Sequence, residues 1–127
     1  MLNQTGIKKT TYGGPVQILF NVQNQVSVSI RVDDAYSVTR DGRKIVPAGT
    51  PLNGDLTARN TSFVKAVDTT HPATGVLLHD VDVTEGDANG TLLIWGFVDL
   101  NKVDSATANL ITATRKTELA GKVTFLK

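Results

Sequence analysis

The chain has 127 residues, enough for one domain with a real core and too few for two. Hydrophobic residues make up 40% and charged residues 20%, which excludes a disordered chain, and a net charge of +1 gives no general drive toward nucleic acid or an anionic membrane. There is no cysteine, which excludes disulfides and thiolate chemistry and leaves the redox compartment unread.

The N-terminal residues MLNQTGIKKTTYGG contain no apolar stretch of the signal-peptide kind, and no later run reaches the length of a membrane span. Without a secretory signal, the Asn-x-Ser/Thr triplets at Asn3, Asn60 and Asn89 carry no weight as glycosylation sites. Residues 1–22 are read as a flexible arm and residues 23–127 as the folded domain. The arm carries Lys8 and Lys9 before the breaking cluster Gly13-Gly14-Pro15, and no acid occurs before Asp33.

From Val16 to Val32 the apolar residues fall on even numbers: Val16, Ile18, Phe20 and Val22, then Val26, Val28, Ile30 and Val32. That period predicts strand with one apolar face. One unbroken strand would be about 55 Å long at ~3.3 Å per residue, so a break is expected near Gln23-Asn24-Gln25. The outer half then either pairs within the domain or seeks a neighbour, because an exposed apolar strand invites association.

Asp41-Gly42 signals a hairpin between Tyr36-Ser37-Val38 and Lys44-Ile45-Val46. Pro47 to Leu52 and Asn53-Gly54 are punctuated turns, and Phe63 to Val67 is a short strand. The stretch Gly75 to Val98 is the expected centre of the core. Its two apolar runs, Val76–Val83 and Thr91–Val98, flank a turn-rich loop and predict one hairpin. Leu92, Leu93, Ile94 and Trp95 do not alternate, which implies burial on both faces. Between Asp104 and Ala120, Ala106, Leu110, Ala113 and Leu119 are spaced for one helix, with Asp104 or Ser105 as cap and Gly121 past its end. Val123 to Leu126 is a last strand. The fold class expected is α+β, mostly β: a small β-rich single domain of short antiparallel strands, one late helix and an extended N-terminal arm.

Asp80 and Asp82 are spaced to share one face of a strand, with Glu85 and Asp87 in the loop beyond. Such acids suit calcium or acid–base work, but the spacing does not match an EF-hand loop, and the plain reading is a solvated hairpin end. His71 and His79 lie on different elements and do not make a ligand set, so no metal and no cofactor is expected. Trp95 and Phe97 share a strand face and are expected in the core, with stacking on a sugar or base as the alternative. Arg40, Arg43 and Lys44 form a small basic tip around the Asp41-Gly42 turn, able to meet an acidic partner surface.

The order of Pro47-Ala48-Gly49-Thr50-Pro51-Leu52, then Gly75-Val76-Leu77-Leu78-His79-Asp80-Val81-Asp82-Val83, then Leu92 to Asp99, a helical stretch and Gly121 to Phe125 resembles the head decoration proteins of tailed bacteriophages, the lambda protein D type. The resemblance covers residues 47–127. A capsid-bound head-fibre base is a related possibility. The resemblance implies a non-enzymatic virion protein that stabilises the outside of a phage head. Its partner would be the major capsid protein, with assembly as a homotrimer at three-fold sites and no part for nucleic acid or membrane. It also implies an N-terminal segment that orders against the shell, which makes Lys8, Lys9, Val16, Ile18, Phe20 and Val22 the expected partner-binding residues. The alternative is a carbohydrate- or calcium-binding β-module using Trp95, Phe97 and the Asp80–Asp87 acids. A hydrolase using Asp80 and Asp82 is a distant third.

Overall fold

In β1, Val26–Val32, the even-numbered period directs Ile30 and Val32 inward while Ser29 and Arg31 face solvent. The computed structural model describes residues 18–19, 25–66 and 72–127. Next come β2, Val38–Arg40, and β3, Arg43–Val46, joined by Asp41-Gly42. Both turn residues have positive φ, 50° and 77°, the two-residue turn whose twist matches the strands it joins. The remaining strands are β4, Pro51–Asn53; β5, Ser62–Lys65; β6, Gly75–Leu77; β7, Val81–Asp82; β8, Ala88–Asp99; and β9, Val123–Leu126. Between β8 and β9 lie a 3-10 turn, Leu100–Lys102, and two short helices, α1, Ser105–Ala108, and α2, Ala113–Glu118. The domain is mostly β, with its helices late in the chain.

The larger sheet runs β1-β5-β4-β6-β8-β9, and β1 also pairs with β8. That second pairing closes five strands into a ring, which removes most open edges. Ile30, Val32, Leu52, Phe63, Leu77 and Leu92 fill the ring, each no more than 4% exposed, and Val46, Val81 and Val83 complete the cluster from the side of the smaller sheet, β2-β3-β7. At Gly90 of β8 a Cβ would lie 2.9 Å from side-chain carbons of both Val32 and Val81, so the close approach there requires glycine. A second cluster packs on the other face of the sheet: Val76, Leu93 and Val98 against Ala48, Val103, Leu119 and Val123. Leu92 and Leu93 are both fully buried, in different clusters, as their lack of alternation predicts.

Three expectations are corrected. The run Val76–Val83 is not one hairpin arm. β6 pairs with β8, and Leu78 N still donates to the Thr91 carbonyl, but the chain then leaves the sheet at His79-Asp80, and β7 pairs with β3 in the smaller sheet. The cause is Asp80, whose carboxylate is held by the Ala48 N–H and by Arg40, so this residue is withdrawn from strand geometry. Trp95 is not core; it is 43% exposed. The β1–β8 register jumps from Val26↔Trp95 to Ser27↔Leu93, leaving Ile94 as an extra residue. Such a bulge inverts the side-chain phase. Val98 therefore packs in the same cluster as Leu93, five residues away, and Trp95 is turned outward. The single late helix is two helices. Leu110 and Ile111 donate to the carbonyls of Thr107 and Ala108 in a tight turn, and the Thr112 hydroxyl restarts the helix by accepting from Arg115 N.

Candidate functional site

The Pro47–Leu52 turn and the Gly75–Asp80 segment, far apart in sequence, are bonded along their length. Gly49 N donates to the Leu77 carbonyl at 2.7 Å, Leu77 N donates to the Thr50 carbonyl at 2.9 Å, and Ala48 N donates to Asp80 Oδ1 at 2.7 Å. Thr50, 1% exposed, closes the turn by donating its hydroxyl to the Pro47 carbonyl at 2.7 Å. Asp80 is thus a structural acceptor.

The acids expected to gather between Asp80 and Asp87 do not converge. Asp80 Oδ2 accepts from Arg40 Nη1 at 3.1 Å, with Asp104 3.9 Å from the same guanidinium. Asp82 Oδ2 accepts from Arg43 Nε, while its Oδ1 takes the hydroxyl and N–H of Thr84. The Arg43 bond, then the Thr84 bonds, hold the Asp82 carboxyl down at about 2. Arg40 and Arg43, expected as a tip for an acidic partner, meet acids of their own chain and pin the β2–β3 hairpin to the segment around β7. Asp87 is used elsewhere. It accepts from the Ser62 hydroxyl and from Asp34 N, and the Ser62 bond is the chief reason its carboxyl lies below the usual carboxylate range. Asp33, Asp34 and Asp87 place ligand-type oxygens within 4.8 Å of one another. Asp33 and Asp87 already accept backbone N–H groups there, from Ala35 and Asp34. His79 keeps a buried Nδ1 without a hydrogen-bond partner among the described residues, and His71 lies outside them.

Of the expected partner-binding residues, Lys8, Lys9, Val16, Phe20 and Val22 lie outside the described residues. Ile18 is inside the domain, 1% exposed, next to Leu19 at 2%. The Ile18 carbonyl accepts from Asp99 N at 2.9 Å, and Leu19 forms an antiparallel bridge to Val98. Its side chain packs in the core of its own chain and is not a face for a neighbour.

Among the described residues the exposed large apolar side chains are Val26, Tyr36, Val38, Leu56 and Trp95. Val26, 49% exposed, and Trp95 are cross-strand partners, and the half-buried Phe97 ring meets Trp95 edge-on at 6.0 Å. Sequence reasoning offers an exposed Trp95–Phe97 face only as the alternative, because the unbroken apolar run Leu92 to Val98 hides the phase change at Ile94. Val98, where the N-terminal segment joins β8 through Leu19, is three residues from Trp95.

No protein-family model matches the chain, and no curated protein matches it in sequence. No helix among the described residues is long and apolar enough to cross a membrane.

Proposed function

We propose that the chain is a structural virion protein that binds the outer surface of a phage capsid and stabilises it, in the manner of head decoration proteins, with the major capsid protein as partner and a homotrimer as the working unit. The observation that carries this reading is the apolar face Val26–Trp95–Phe97 beside the point where the N-terminal segment enters the sheet. Exposed, contiguous apolar side chains mark surfaces that a partner covers. The bonding of the Pro47–Leu52 turn to the Gly75–Asp80 segment adds support, since these are two of the stretches on which the sequence resemblance rests. The partner residues are then Val26, Trp95 and Phe97, with Lys8, Lys9, Val16, Phe20 and Val22 of the leading segment. Co-sedimentation with emptied, expanded heads tests the proposal. The intact chain should pellet with heads, and Trp95→Asp should remain in the supernatant while keeping its fold. Equal pelleting of both forms, or none of either, contradicts it.

The exposure of Trp95 also favours a second reading, a carbohydrate-binding β-module, because a half-exposed indole offers a sugar a stacking face. A saturable change in Trp95 fluorescence on titration with oligosaccharides supports that reading, and an unchanged spectrum removes it.

A further inference from the structure

On the outer side of the ring, β1 and β8 lie in register as Ser29↔Thr91 and Arg31↔Asn89. The loop between β4 and β5 adds Arg59 and Asn60, and together these residues line a shallow recess of about 660 Å³. Its floor residues, Ile30 and Gly90, are held by the core: Ile30 is 4% exposed, and Gly90 sits against Val32 and Val81. Ser29, Arg31, Asn89 and Thr91 therefore project from paired strands, and Arg59 and Asn60 reach over them from the loop.

The lining holds two guanidinium groups, two carboxamides and two hydroxyls, and no carboxylate. Arg59 Nη1 donates to the Ser29 carbonyl at 2.9 Å, which fixes the side chain across β1 and leaves other donors of its fork for a ligand. Arg31 Nη2 makes a long bond, 3.5 Å, to the Asp87 carbonyl, and its charge also acts on the Asp87 carboxylate, which Ser62 and Asp34 engage, so Arg59 is the less committed of the two guanidinium groups. A guanidinium fork matches a planar carboxylate in two parallel bonds, and carboxamides both donate to and accept from peptide groups. The recess contains no aromatic ring, so a sugar or base has nothing to stack on. β1 and β8 are paired with each other along it, so an occupant meets side chains and does not add as a strand.

We infer that this recess is a docking surface for an acidic peptide segment of a partner protein, with Arg59 and Arg31 receiving Asp or Glu carboxylates and Asn60 and Asn89 the adjoining peptide groups. It is a separate surface from Val26–Trp95–Phe97, and its test requires no capsid. The full ¹⁵N-labelled chain is titrated with hexaglutamate, hexaglutamine and inorganic phosphate, each followed by amide and Arg Nε shifts. Hexaglutamate should produce saturable shifts confined to the recess, weakened by added salt. Hexaglutamine should produce none, and phosphate should bind more weakly than the peptide. Arg59→Gln should weaken hexaglutamate binding roughly tenfold. Asn89→Asp should weaken it too, by placing a carboxylate in the recess, and melting curves of both variants should match the parent. Equal shifts from hexaglutamine, phosphate as strong as the peptide, shifts spread over other surfaces, or unchanged binding by both variants overturns the inference.

Discussion

Phe63 is fully buried within the ring, and Phe63→Ala should cost about 3–5 kcal/mol in urea unfolding, enough to leave a domain of this size largely unfolded. Trp95→Ala should cost only about 1 kcal/mol by the same measurement, because much of the indole already meets water. Sequence alone places Trp95 in the core and singles out nothing about the burial of Phe63. Phe63 lies in a modest four-residue strand between turn-rich loops, whereas Trp95 stands in the most apolar run of the chain. The difference is made by one inserted residue, Ile94, and no local pattern marks a bulge inside a run that is apolar throughout. Gly90 is a quieter case. Gly90→Ala places a methyl 2.9 Å from Val32 and Val81 and should cost about 1–3 kcal/mol, although nothing in the Asn-Gly-Thr sequence distinguishes it from an ordinary loop glycine.

At the scale of elements, what is legible depends on whether the determinants are local. The Asp41-Gly42 hairpin, the inward side chains Ile30 and Val32 of β1 and the terminal strand β9 each follow from neighbouring residues, and each is present, while Val26 of the same even-numbered set is exposed. The split of Val76–Val83 between two sheets is not local: it depends on Ala48 and Arg40, more than thirty residues upstream. Asp80→Ala should therefore destabilise the fold by about 1–3 kcal/mol, because the Ala48 N–H loses its acceptor, and chemical denaturation measures this directly. Asp82 gives a pH signature. Its folded carboxyl titrates at about 2, below the ordinary 3.8, so its contribution is present above about pH 4 and is lost as pH falls toward 2. The melting temperature should drop across that window, and Asp82→Asn should flatten the drop. An equally steep acid limb in the variant would show that other carboxylates set it.

For the whole molecule, Ile18 and Leu19 tie the start of the chain to β8 and to the second core cluster. Removing residues 1–14 keeps both of these side chains. Removing residues 1–22 takes two fully buried side chains from the core and should lower the melting temperature sharply. Any contribution of the leading segment to capsid binding is thus best measured with the shorter truncation, which leaves Ile18 and Leu19 in place. The closed ring of strands presents two faces of opposite chemistry, an apolar one at Val26, Trp95 and Phe97 and a polar one at Arg31, Arg59 and Asn89. A protein built to sit between neighbours would use both. Electron cryomicroscopy of expanded heads mixed with excess chain tests this most directly. Ordered density of the size of this domain should appear on the outer shell at the three-fold positions, with the Val26–Trp95–Phe97 face toward the capsid. Heads that remain bare at saturating chain would contradict the account.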